Sequence, residues 1–120
     1  MNAVLTITPY LDEGRTTLSP QRVASRLSLQ MDELAARARV HRNSLRVHPE
    51  GPKIQSFLRQ VIRVLAAAEA TFGDKDAATA WFLNEPLAAF DHLTAFDLVN
   101  RDRTDDVVAY LGSISSGFVG

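Results

Sequence analysis

The sequence predicts an all-α protein, and three observations carry that prediction. Apolar residues recur at three- and four-residue spacings along most of the chain. Helix-start residues such as Ser19, Thr94 and Thr104 are answered by stops such as Pro49 and Gly73. The only alternating stretch, Val4-Leu5-Thr6-Ile7-Thr8, ends at Pro9 and has no partner strand. The expected architecture is an N-terminal helical bundle, a long central helix and a small helical C-terminal domain, about six to eight helices in all.

Residues 1–18 are expected to form an arm that orders against another chain or stays mobile. Ser19-Pro20 then starts a helix, because Ser caps free backbone N–H groups and Pro suits the first helical position. Val23, Ala24 and Leu27 supply its apolar stripe. Ser28 is expected to cap a second helix, Leu29–Ala38, and a third, short one runs from about His41 to Val47 before Pro49, Gly51 and Pro52. The longest element is expected from about Lys53 to Phe72, with Ile54, Phe57, Leu58, Val61, Ile62, Leu65 and Ala68 on one face. Gln55, Arg59, Gln60 and Arg63 take the other face. Val64, Ala66, Ala67 and Ala70 broaden the apolar stripe beyond one core, and Val61, Val64, Ala67 and Ala68 are expected as a dimer contact, burial within the same domain being the alternative. Gly73 ends this helix, and Asp74 or Asp76 caps the next, Lys75–Leu83, which Asn84-Glu85-Pro86 breaks. A turn of helix at Pro86–Phe90 precedes helices capped by Thr94 and Thr104. In the last of these, Val107, Tyr110, Leu111 and Ile114 form the stripe and Gly117 the stop. The domain division expected from this pattern is 1–18, 19–72 and 73–120.

Charge separates the two halves of the 120-residue chain. Residues 1–63 hold ten Lys/Arg against five acids, net +5; residues 64–120 hold three against nine, net −6; together they give the overall −1. A basic patch attracts a polyanion whatever the whole-chain balance. With no cysteine, Cys-ligated zinc and disulfides are excluded. A secretory leader and a bilayer-spanning apolar run are not read anywhere, so a cytoplasmic location is expected. Phosphate-binding glycine loops, nucleophile elbows and paired histidines at metal-ligand spacing are likewise not found, and His41, His48 and His92 are scattered. No enzyme, cofactor or metal is expected.

In the basic half, two short helices joined by a tight turn give a helix-turn-helix arrangement. Asp32–Ala38 would be the first helix, Arg39-Val40 the turn, and His41–Arg46 the reading helix. Arg42 and Arg46 suit guanine, Asn43 suits adenine, and Ser44 suits phosphate, with Arg37, Arg39 and His41 adding to the DNA-facing set. Arg39 occupies a turn position that usually carries Gly, so the backbone there must be strained or the turn must differ. A three-helix bundle with a basic surface and no DNA role is the alternative.

In the acidic half, Ala78, Ala80-Trp81-Phe82, Asn84 and Pro86-Leu87 form an ordered set. It continues through Thr94-Ala95, Leu98-Val99, Asp106-Val107-Val108, Tyr110-Leu111 and Ile114 to Gly117-Phe118-Val119-Gly120. This set resembles the toxin-binding domain of Xre/MbcA/ParS antitoxins, and the resemblance reaches back to about residue 20. Asp102 departs from it, standing where the family often has Gly before the last helix. The resemblance implies a type II antitoxin whose partner is a RES-domain toxin that consumes NAD. It further implies occlusion of the toxin's active site and repression of the operon through operator DNA; an operator-binding protein is expected to be a homodimer, since paired half-sites match a two-fold axis.

The toxin-binding set expected on that basis is Trp81, Phe82, Asn84, Ser113, Ser116, Gly117, Phe118, Val119 and Gly120. For Trp81 and Phe82 the competing role is core packing. For the tail it is folding back of Phe118 on its own domain. Two other functions stay open: a stand-alone helix-turn-helix regulator, and a toxin-binding module whose helix-turn-helix does not bind DNA.

Overall fold

Ser19 begins the first helix as its cap: its hydroxyl accepts the Arg22 N–H at 3.2 Å, and Pro20 follows at the first helical position. In this computed structural model, which describes residues 7–116, seven α-helices follow in order. They are α1 (Pro20–Arg26), α2 (Met31–Ala38), α3 (Arg42–Val47), α4 (Pro52–Phe72), α5 (Lys75–Asn84), α6 (Ala95–Asn100) and α7 (Thr104–Ser115). One-turn 3-10 helices lie at Thr8–Tyr10 and Ala88–Phe90. Among the described residues there are no strands, only isolated bridges pairing Leu11 with Leu18 and Leu87 with Leu93. The all-α expectation therefore holds. No helix of the described residues is long and apolar enough to cross a membrane.

The chain divides into two compact units, residues 1–62 and 63–120. In the first, α1 packs on α2 and α2 on α3, burying Val23, Leu27, Leu34, Leu45 and Leu58 at 1% exposure or less. Each such side chain is worth about 1.5–3 kcal/mol of transfer from water. The segment expected as an arm closes on this unit over its described part. Ser19 N–H donates to Tyr10 O at 2.8 Å, Leu11 pairs with Leu18, and Leu18 is buried. The alternating stretch falls outside the described residues except for Ile7 and Thr8, and Thr8 opens the 3-10 turn.

Gln55 was expected on the polar face of α4, yet it is buried. Its amide oxygen accepts the Leu18 N–H at 2.8 Å. Its NH₂ donates to Leu18 O at 2.9 Å and to Pro49 O at 2.7 Å. One side chain thereby satisfies backbone groups from two loops, which would otherwise be desolvated without partners.

Helix ends in both units use left-handed residues that are not glycine. At the end of α1, Ser28 has φ +59°, with Ser28 N–H donating to Ser25 O at 3.0 Å and Leu29 N–H to Ala24 O at 2.9 Å. This is the paired bond pattern of a Schellman stop. Ser28 thus terminates α1 and does not cap α2; that cap is Gln30, in a reciprocal box with Glu33. Arg39 (φ +59°) ends α2 and Asp102 (φ +59°) ends α6 by the same pattern. Gly73, at φ +72°, ends α4 as expected, and the Asp74 carboxylate caps α5 by accepting the Asp76 N–H at 3.0 Å.

In the second unit α5 packs on α6 and α6 on α7. Phe82 and Phe96 meet at 5.2 Å between ring centroids in its core, with Ala78, Leu98, Val107 and Leu111 also buried. Thr94 and Asp97 form the capping box that starts α6. Thr104 was expected to cap α7 but is its first helical residue and is buried; the cap position belongs to Arg103, whose guanidinium reaches Asp106 at 2.9 Å. The expected dimer contact is corrected as well. Val61, Val64 and Ala68 are each 0% exposed within the chain itself, and Ala67 is half-buried. Val61, Val64 and Ala68 are core and offer a second copy no surface.

Two outcomes follow for stability. Gln55→Leu leaves the Leu18 N–H buried without an acceptor and is expected to cost about 2–3 kcal/mol, read as a lower urea midpoint. Asp102→Gly relieves a left-handed residue of its Cβ and is expected to add about 0.5–1 kcal/mol, read as a higher midpoint at unchanged slope.

Candidate functional site

Two surfaces carry the residues singled out from the sequence, one on each unit. On the first, the capping box of Gln30 and Glu33 starts α2, Arg39 ends it, and His41 Nδ1 accepts the Asn43 N–H at 3.1 Å to cap α3. His41 is therefore occupied as a cap. Leu45 is buried and anchors α3 from beneath. Arg37, Arg39, Arg42, Asn43 and Arg46 are exposed, and Ser44 is half-buried. The α2–turn–α3 segment thus brings this set onto one exposed stretch of chain, over three connecting residues.

Arg42 is not free within that set. Its guanidinium lies 3.3 Å from Asp32 on α2, with the two side chains 59% and 69% exposed. A pair so open to water is worth about 0–1 kcal/mol, so breaking it costs little. Arg22 is held in the same loose way by Asp12 at 2.8 Å. The strain expected at Arg39 is present as its left-handed backbone, worth about 1–2 kcal/mol.

On the second unit, Phe82 is corrected from a partner-facing residue to a core one, being 0% exposed. Trp81, next to it, is half-buried and packs against Phe72 with ring centroids 5.6 Å apart. Phe72 itself is 36% exposed. The pair presents apolar ring surface at the C-terminal end of α4. Thr71, one residue earlier, shares a hydrogen bond with Ser115 at 2.6 Å, which brings the C-terminal end of α7 alongside.

Ile114 neighbours that bond. It was expected within the apolar stripe of α7, but it is 41% exposed. Asn84 is exposed at the last position of α5, before Glu85-Pro86. Ser113 and Ser116 are exposed, but their hydroxyls donate to Tyr110 O at 2.7 Å and to Ser113 O at 3.0 Å. Gly117, Phe118, Val119 and Gly120 lie outside the described residues.

Around this surface the loops are shaped by local contacts. Asp91 and His92, at φ +56° and +64°, form a tight turn that Leu93 N–H closes onto Phe90 O at 3.0 Å. The Phe90 ring meets Tyr110 edge-on at 5.8 Å and carries the Arg103 guanidinium 5.2 Å from its centroid. Arg63 pairs with Asp105 at 2.6 Å on exposed side chains. Among the described residues no group of His, Asp or Glu is placed to hold a metal ion.

Sequence periodicity placed Ile114 in the apolar stripe of α7 and gave Phe72 no role beyond closing α4; both lie near the C-terminal ends of their helices and are exposed. Residues 67–117 match the family model of the antitoxin Xre/MbcA/ParS C-terminal toxin-binding domain. Comparison with curated proteins and with solved structures returned no match.

The Phe72–Trp81 contact has a direct spectroscopic reporter, since Trp81 is the only tryptophan. Phe72→Ala is expected to shift Trp81 emission to the red and to cost about 1 kcal/mol, measured by fluorescence and thermal melting.

Proposed function

We propose, from the match of residues 67–117 to the Xre/MbcA/ParS antitoxins' C-terminal toxin-binding domain, that this chain is the antitoxin of a type II toxin–antitoxin pair. It binds a RES-type, NAD-consuming toxin and occludes that enzyme's active site. The observation that carries this reading is the family match over the second unit. The exposed apolar side chains Phe72 and Ile114 support it, with half-buried Trp81 beside Phe72, since exposed apolar groups of this size suit a partner protein. The acids of this half, net −6 over residues 64–120, complement a basic cleft that holds NAD phosphates.

The first unit binds operator DNA, as a pair of copies on two half-sites, and represses the operon. Support comes from the exposed cations and Asn43 on α2, the turn and α3. A second reading has its own observation: α3 is only six residues long, short for a helix that must reach across a groove. In that case the first unit is DNA-incompetent and the protein acts by toxin binding alone.

Co-expression of the full chain with the protein encoded beside it tests the first part. Rescue of growth together with co-purification is expected; a harmless or non-interacting neighbour would overturn it. Ile114→Asp is expected to abolish co-purification at a folding cost of about 1–2 kcal/mol, from lost burial and a carboxylate at a helix C-terminus, which a thermal melt measures separately. For the second part, affinity for operator-region duplexes should fall steeply with salt. Asn43→Ala is expected to lose about 1–3 kcal/mol of discrimination at one base position.

A further inference from the structure

Val47 is 64% exposed, the most open large apolar side chain among the described residues. It closes α3, whose other exposed side chains are Arg42, Asn43 and Arg46. Taking Arg42 as the origin and about 100° per residue, Arg46 lies near 40°, Asn43 near 100° and Val47 near 140°. These four therefore share one continuous arc, while Leu45, near 300°, is buried on the far side. Val47 sits one turn after Asn43, at the spacing where side chains on a helix are neighbours.

This face combines two guanidiniums, a carboxamide and a branched aliphatic group. Phosphates answer the first of these but give Val47 nothing to pack on. The floor of the major groove answers all of them. Guanine presents N7 and O6, adenine N7 and N6, and thymine adds the one apolar feature there, its C5-methyl. We propose that Val47 is a specificity-determining residue that packs on the C5-methyl of a thymine within about two base pairs of the one met by Asn43, given the ~5–6 Å between their Cβ atoms and the 3.4 Å rise per base. The proposal rests on the DNA reading of the first unit.

The test uses the full chain and a duplex that it enriches from a random 20-base-pair library, with each thymine replaced in turn by uracil, which deletes only the C5-methyl. Wild-type protein is expected to lose about four-fold in affinity at one thymine position, the worth of one buried methyl. Val47→Ala is expected to bind the thymine duplex a few-fold more weakly and to lose the uracil effect, whereas Asn43→Ala keeps it. Because Val47 is exposed, Val47→Ala should melt with the wild type, which separates lost reading from lost folding. Enrichment with no uracil-sensitive position overturns this inference alone. A Val47→Ala chain that retains the full uracil effect also overturns it, and a dimer-to-monomer shift of that variant in sedimentation then assigns Val47 to self-association. Failure to enrich any duplex overturns the DNA reading and this inference together.

Discussion

Five of the six connections between the α-helices are only two to four residues long. A chain with so little loop must end each helix abruptly and re-aim at once. At four of these five the backbone does this by stepping into the left-handed region, at Ser28, Arg39, Gly73 and Asp102, while α3 ends ahead of Pro49. Each step lets the following N–H groups turn back onto carbonyls that the helix leaves unpaired. Three of these four residues carry a Cβ and hold the conformation at a cost of about 1–2 kcal/mol each. That cost is met by the packing on either side: the stop at Ser28 separates buried Leu27 from α2, and the stop at Asp102 separates buried Val99 from buried Thr104. Only the ten residues between α5 and α6 escape the constraint, and they contain a tight turn of their own at Asp91-His92.

The same constraint decides how much of the fold is legible in the sequence. Where a helix begins with Ser, Asp or Thr whose side chain caps it, as at Ser19, Asp74 and Thr94, the start was readable to within a residue. The 21-residue periodicity of α4 was readable for the same kind of reason, since one face must recur every three to four residues. Ser28 misled because a serine before an apolar run has the composition of a cap, and only the backbone angle shows it to be a stop. Gln55 misled because amphipathic patterning treats an amide as solvent-facing. Nothing local shows that the Leu18 and Pro49 backbone groups arrive from 37 and 6 residues away to be satisfied by it.

Site residues were legible in proportion to how local their role is. The exposure of these positions on α2 and α3 follows from the buried anchors Leu34, Ala35 and Leu45 and from the helix period, so it was legible in the sequence. The second-unit set depends on which of two adjacent aromatics turns inward, and that is settled by Phe96, fourteen residues away from Phe82, which takes it into the core and leaves Trp81 to Phe72. Small residues on α4 were ambiguous for a further reason. A stripe of Val and Ala fits a close second helix of another chain and a close element of its own chain equally well, and here the chain covers Val61, Val64 and Ala68 itself.

Stability and recognition are drawn from different side chains in this molecule. The apolar core residues are almost wholly covered, whereas three ion pairs are open: Arg22 with Asp12, Arg42 with Asp32 and Arg63 with Asp105 all lie on exposed side chains. Pairs of this kind add little to folding, so their charges can be exchanged for those of a partner without loosening the core. Arg42 illustrates the consequence. Asp32 occupies its guanidinium only weakly, so under the proposed DNA reading a phosphate or base edge would displace the carboxylate at little cost. A surface held by such weak internal pairs discriminates by geometry, because only a partner that engages several cations at once recovers more than the pairs it breaks.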